Sequence, residues 1–93
     1  MYFGKYFFDI KIYDSYSRKD KRRVAKSIIL RLQDKFKLSV CQYDKGEVYN
    51  FLKISCAITT SDYKLIEKIY HETYKFIEEN YNVEICYSNY EEY

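Results

Sequence analysis

Lys19, Lys21, Arg22, Arg23 and Lys26 fall within eight consecutive residues. Cations this closely spaced have one obvious chemistry, which is to hold phosphate groups. The stretch around them, Ser17–Val40 (SRKDKRRVAKSIILRLQDKFKLSV), carries nine of the sixteen Lys and Arg residues and only two acids, Asp20 and Asp34. Its charge is +7, whereas the rest of the chain sums to −5 and the whole to +2. A nearly neutral protein has therefore concentrated its positive charge, and such a surface attracts polyanions, nucleic acid first among them. On a helix, Lys19, Arg22, Arg23 and Lys26 lie within about 100° of one another. Cations in a first helical turn oppose the helix dipole by about 0.3–1 kcal/mol each. Stability alone would place acids there. Free N–H groups flanked by Ser15, Ser17 and these cations instead suit a phosphate. Two uses stay open: contact with a phosphate backbone, or a solvated face that serves solubility or docks an acidic protein.

The second constellation is aromatic. Phe3, Phe7, Tyr49 and Phe51 fall on one side of their strands by alternation, together with Lys5, Lys11, Lys53, Cys41 and Tyr43. Rings interleaved with Lys on a sheet can stack single-stranded bases. Neither signature of the sheet proteins that bind RNA in this way is present. An open sheet with this much aromatic surface is also commonly covered by a second subunit, so an oligomer interface and base stacking are both expected uses.

Other reactive groups are weakly placed. His71 falls opposite the apolar stripe of its helix, with no second His and no Cys at ligand spacing. The acids Glu67, Glu72, Glu78 and Glu79 alternate with Lys64, Lys68 and Lys75 and read as i,i+4 pairs. Cys56 points inward, Cys41 and Cys86 outward. Three widely spaced cysteines make neither a disulfide framework nor a metal pattern, which fits a reducing cytoplasm. Gly occurs only at positions 4 and 46, which excludes a glycine-rich phosphate loop. The reading is therefore non-enzymatic, with no cofactor and no metal.

The elements that must position these residues follow from periodicity. The chain has 93 residues, 47% of them hydrophobic, enough for one domain with one core. No apolar run is long enough to span a membrane, and Lys5 and Asp9 interrupt the apolar N-terminus where a signal peptide would be uniform. Residues 2–13 alternate and predict a strand, with Tyr2, Tyr6, Phe8, Ile10 and Ile12 on one face. Ser17 and Asp20 read as a capping-box variant. Val24, Ala25, Ile28, Ile29, Leu32 and Phe36 then recur at helical spacing through residues 18–36. Lys37–Tyr43 alternates again, and Asp44-Lys45-Gly46 predicts a hairpin turn. Residues 48–60 read as a third strand. Ser61 is expected to cap a helix over Asp62–Asn80, and Val83, Ile85 and Tyr87 mark a fourth strand, with Asn89–Tyr93 a frayed tail. The order βαββαβ predicts an α+β ferredoxin-like sandwich: a four-stranded antiparallel sheet with two helices on one face and the first and third strands central.

On these residues the chain resembles the bacterial YlxP-like proteins, catalogued as domain of unknown function 503. SRKDKRRVAKSIILRLQDKFKLSV is similar to that family's S-L-K-x-K-R pattern, amphipathic helix and R-F-N-V-S-V strand start. EVYNFLKISCAITTSD continues the similarity through an acid and a small-residue strand. The likeness covers roughly residues 3 to 88. Arg18 stands where the family usually has Leu, Asp14-Ser15 where a Pro-containing turn is common, and Tyr49 and Phe51 where it has a Trp and a basic residue. The resemblance implies a ferredoxin-like domain encoded near translation and ribosome-maturation genes, and it implies no activity.

Together these observations predict a cytoplasmic, non-catalytic accessory protein that binds RNA, and the resemblance implies an association with the ribosome or its maturation. Lys19, Lys21, Arg22, Arg23 and Lys26 would contact phosphates, and a homo-oligomer, most simply a dimer, would form without any membrane association. The alternative is a protein–protein interaction module that oligomerises through the aromatic sheet face and docks an acidic partner.

Overall fold

The computed structural model describes residues 1–46 and 48–93, and Glu47 lies outside the described residues. The elements run β1 (Tyr2–Ile12), α1 (Arg18–Phe36), β2 (Ser39–Gln42), β3 (Phe51–Thr60), α2 (Lys64–Asn80) and β4 (Val83–Glu92). They form one four-stranded sheet in the order β2-β3-β1-β4, with every neighbouring pair antiparallel. This is the α+β ferredoxin-like arrangement expected from the element order, with β1 and β3 central.

Alternation decides which face of β1 and β3 is buried. Tyr6, Phe8, Ile10 and Ile12 of β1 and Leu52, Ile54, Cys56 and Ile58 of β3 point into one core. Ala25, Ile28 and Leu32 of α1 and Ile66, Tyr70 and Ile77 of α2 join the same cluster, so both helices cover the same side of the sheet. The opposite face carries no helix. Burying a Leu- or Phe-sized side chain stabilises by about 1.5–3 kcal/mol, so this cluster is the main source of stability.

Local signals set the helix ends. Ser17 is the N-cap of α1, its side chain accepting from the Asp20 N–H at 3.1 Å. The Asp20 carboxylate accepts from the Tyr16 N–H at 3.1 Å, one residue earlier than a standard capping box would reach. The helix ends on Lys37 in the left-handed region, φ 57°. In α2 the expected cap moves: Ser61 does not serve. Asp62 accepts from the Lys64 N–H at 3.0 Å, and the helix begins two residues later than its periodicity suggested.

The tail expected to fray does not. β4 runs to Glu92, Gly4 pairs with Glu92 and Lys5 with Glu91, and Phe3 and Tyr93 exchange both backbone hydrogen bonds, at 3.1 and 2.7 Å. The rings of Phe3 and Tyr93 stack 5.3 Å apart. β4 also shifts register against β1: Asp9 pairs with Tyr87 but Ile10 with Ile85, which leaves Cys86 as a bulged residue. One extra residue reverses the alternation. Val83 and Ile85 pack toward the core, Tyr87 is exposed, and Ser88, which hydrogen-bonds the Tyr70 hydroxyl, and then Tyr90 take the next inward places.

Gly4 faces inward under the start of α2. A Cβ there would sit 2.6 Å from Ile66 Cγ2 and 3.3 Å from the Glu91 carbonyl oxygen. Gly4→Ala is expected to destabilise by about 1–3 kcal/mol through overpacking, read as a lower urea midpoint at unchanged slope. An unchanged midpoint would mean that α2 shifts freely on the sheet.

Candidate functional site

Structure sorts the eight basic residues of α1 into groups with different uses. The first half of α1 presents Arg18, Lys19, Arg22, Arg23 and Lys26 as exposed side chains, and none of them forms an ion pair among the described residues. Arg31 and Lys35 are engaged elsewhere. The Arg31 guanidinium lies 4.8 Å from the centre of the Phe76 ring and 5.5 Å from that of Tyr81, and it donates to the Tyr81 hydroxyl at 3.3 Å. Lys35 lies over Phe76 at 5.4 Å. These cation–π contacts tie the second half of α1 to α2.

Lys21 corrects the sequence expectation. Its charge groups it with the phosphate contacts, yet it is only 3% exposed, because it sits on the buried stripe with Ala25, Ile28 and Leu32. Its ammonium donates to Asp44 Oδ2 at 2.6 Å and to the Val48 carbonyl at 2.8 Å. Lys21 therefore holds the β2–β3 loop onto α1 and is removed from the exposed ridge.

Asp44 is the other half of that device. Besides Lys21 it accepts from the Gly46 N–H at 2.9 Å, the Lys53 N–H at 3.0 Å and the Gln42 side-chain amide at 3.1 Å. Gly46, φ 76°, supplies the positive φ the turn needs. Burial pushes the Asp44 carboxyl up, but the hydrogen bonds from Lys21, Lys53, Gly46 and Gln42 outweigh it and hold the group below the usual carboxylate range. The expected Asp44–Gly46 turn is thus a folded loop with one organising carboxylate.

The serine hydroxyls proposed for phosphate are occupied. Ser15 is buried and donates to the Tyr49 carbonyl at 2.5 Å, and Ser17 caps α1. What remains at this end of the molecule is side-chain charge.

On the uncovered sheet face Phe3 is exposed, while Phe7, Phe51 and Lys53 are half-buried. Tyr49 is a second correction: it lies in the turn before β3, not on the strand. Tyr43, by contrast, reaches the face, donating from its hydroxyl to Asp9 Oδ1 at 3.3 Å beneath the Lys53 ammonium, 5.9 Å from its ring centre. Positive and negative residues balance here. Lys5 pairs across the strands with Glu91, Lys11 with Glu84 and Asp9 with Lys53.

The cysteines and His71 lie on the sides of their elements that the periodicity assigns them. Cys56 is buried, and burial pushes its thiol up to about 12, which keeps it protonated and unreactive. Cys41 and Cys86 are exposed free thiols. His71 is exposed, 3.6 Å from Glu67, and Lys75 lies 3.9 Å from Glu79 one turn on. Among the described residues no three His, Cys, Asp or Glu side chains gather closely enough to hold a metal, and no helix is long and apolar enough to cross a membrane.

Comparison with known families gives one match. The family described as "Protein of unknown function (DUF503)" matches residues 3–90, nearly the whole chain. The chain belongs to that family. No curated protein matches it. Membership accords with the resemblance read from helix α1 and β3, and it carries no activity with it.

Proposed function

We propose that the protein binds structured RNA through the phosphate backbone, as a non-catalytic accessory factor acting on the ribosome or its precursors. The observation that carries this reading is the separation of five exposed cations, Arg18, Lys19, Arg22, Arg23 and Lys26, unpaired among the described residues, onto the first half of one helix. Their neighbours Lys21, Arg31 and Lys35 have internal uses, so the exposed five are not needed to hold the fold. Arg18 and Lys19 also sit in the first turn, where the helix dipole opposes cations, a cost that a polyanion would offset. Phosphate contacts of this kind fix position without reading sequence. The three free thiols suit the reducing cytoplasm where such a substrate resides. The experiment is titration of labelled RNA with the wild type and with Arg22→Glu/Arg23→Glu.

The uncovered sheet face supports a second reading, self-association. Lys5, Phe7, Ser39, Cys41, Ser55 and Ala57 line a largely apolar hollow of about 290 Å³. The face around it pairs Lys5, Lys11 and Lys53 with Glu91, Glu84 and Asp9, a balance that suits a second copy better than a polyanion. Light scattering after size exclusion is expected to give a dimer for the wild type and a monomer for Phe7→Asp. A wild-type monomer at micromolar concentration would refute the dimer.

A further inference from the structure

The loop between β2 and β3 stands between two clefts. On the α1 side Arg18, Arg22, Gln42 and Lys45 line a polar cleft of about 280 Å³. On the sheet side Tyr43, Val48, Phe51 and Lys53 line a more apolar cleft of about 340 Å³. Lys21, Lys45 and Gly46 border both. The Lys21–Asp44 pair that borders the sheet-side cleft is charge-neutral and Lys53 stands opposite Asp9, so among the described residues the uncompensated charge at the clefts is that of Arg18, Arg22 and Lys45.

One cleft offers cations without rings, and the other offers rings rimmed by cations. A nucleotide has the matching halves, an anion and a flat apolar base, joined by a few bonds. We infer that this loop seats one unpaired nucleotide of the bound RNA. Its base lies against Phe51 and Tyr43, and the adjoining phosphates lie against Arg18, Arg22 and Lys45. The inference rests on the RNA reading of α1 and adds the class of RNA preferred, a helix interrupted by an unpaired base.

Three observations support it. Tyr43 is held in place by its hydrogen bond to Asp9 and by the Lys53 ammonium over its ring, so little side-chain freedom is lost when a base stacks nearby. Beyond Phe51 and Lys53 the outward residues of β3 are Ser55, Ala57 and Thr59, so the rings along that strand end after one base. A base within a duplex cannot reach such a cleft, because A-form RNA keeps its bases stacked behind the backbone. A purely acidic peptide would use the cations and leave the rings idle.

The test uses a blunt RNA duplex and the same duplex with one bulged nucleotide, both fluorescently labelled. Anisotropy titrations at roughly 100 mM salt, where phosphate contacts still contribute, would compare the wild type, Phe51→Leu and Lys45→Ala, with thermal melts as the fold control. The wild type is expected to prefer the bulged duplex about fivefold or more, the low end of a single base stack. Phe51→Leu should lose that preference while keeping its affinity for the blunt duplex, and Lys45→Ala should weaken both. If Phe51→Leu melts lower than the wild type, Tyr43→Leu replaces it. Equal wild-type affinity for the two duplexes, or a preference that survives in a fully folded ring variant, would overturn the inference and leave the helix reading standing. Binding to neither duplex at low salt would overturn both, with the acidic-protein alternative gaining what they lose.

Discussion

Asp44→Ala is expected to lower the stability of the fold by about 3–5 kcal/mol, the cost of leaving a buried charge without its partner. The charge is the Lys21 ammonium, buried on the inner stripe of α1 and 2.6 Å from Asp44 Oδ2. The same substitution orphans the Lys53 and Gly46 N–H groups and the Gln42 amide, each of which donates to Asp44. Lys21→Met/Asp44→Ala should recover much of the loss, because removing both charges leaves no buried ion to solvate. Chemical denaturation of the two variants measures this. Equal destabilisation by Asp44→Ala and the double variant would show that the loop, not the ion pair, carries the energy.

The pair also predicts a pH dependence. The Asp44 carboxyl is held below its ordinary value of 3.8 in the folded state. A depressed folded pKa contributes stability above the unfolded value, and that stability is lost as the pH falls through the folded value. The wild type should therefore lose stability faster than Lys21→Met/Asp44→Ala below about pH 4. Parallel curves for the two proteins would contradict the assignment.

The second large effect concerns RNA. Arg22→Glu/Arg23→Glu turns two exposed cations of the ridge into anions. It is expected to weaken binding at least about tenfold, because two phosphate contacts are lost and two repulsions gained. Both side chains are exposed and unpaired among the described residues, so the melting temperature should stay close to that of the wild type. Lys21→Met is the informative comparison. If Lys21 acts only inside the protein, a folded Lys21→Met variant keeps its RNA affinity.

Much of this was legible in the sequence, and the exceptions have physical causes. Period-two alternation located β1 and β3 because each is half-buried, and the stripe of α1 gave its bounds, Arg18–Phe36, to the residue. Lys21 was misread because residue type outweighed position: it precedes Ala25 by four and Ile28 by seven, which is the spacing of the buried stripe. Its need for a counter-ion pointed to a nearby acid, and Asp44 in the following turn was available. Arg31 and Lys35 hid their stacking partners, because Phe76 and Tyr81 are distant in sequence. The Cys86 bulge and the pairing of Glu92 with Gly4 depend on register between distant strands, which local periodicity does not encode. Tyr49 lies in the turn before β3, where its carbonyl accepts from Ser15, another long-range contact.

The most direct test of the RNA reading is the affinity of the wild type for a labelled RNA duplex, measured by anisotropy from roughly 50 to 300 mM salt. With several of the five exposed cations on phosphates, log affinity should fall with log salt at a slope of about −2 to −4, since each contact contributes somewhat less than one unit. A slope near zero, or no binding at the lowest salt, would contradict a function built on the α1 ridge.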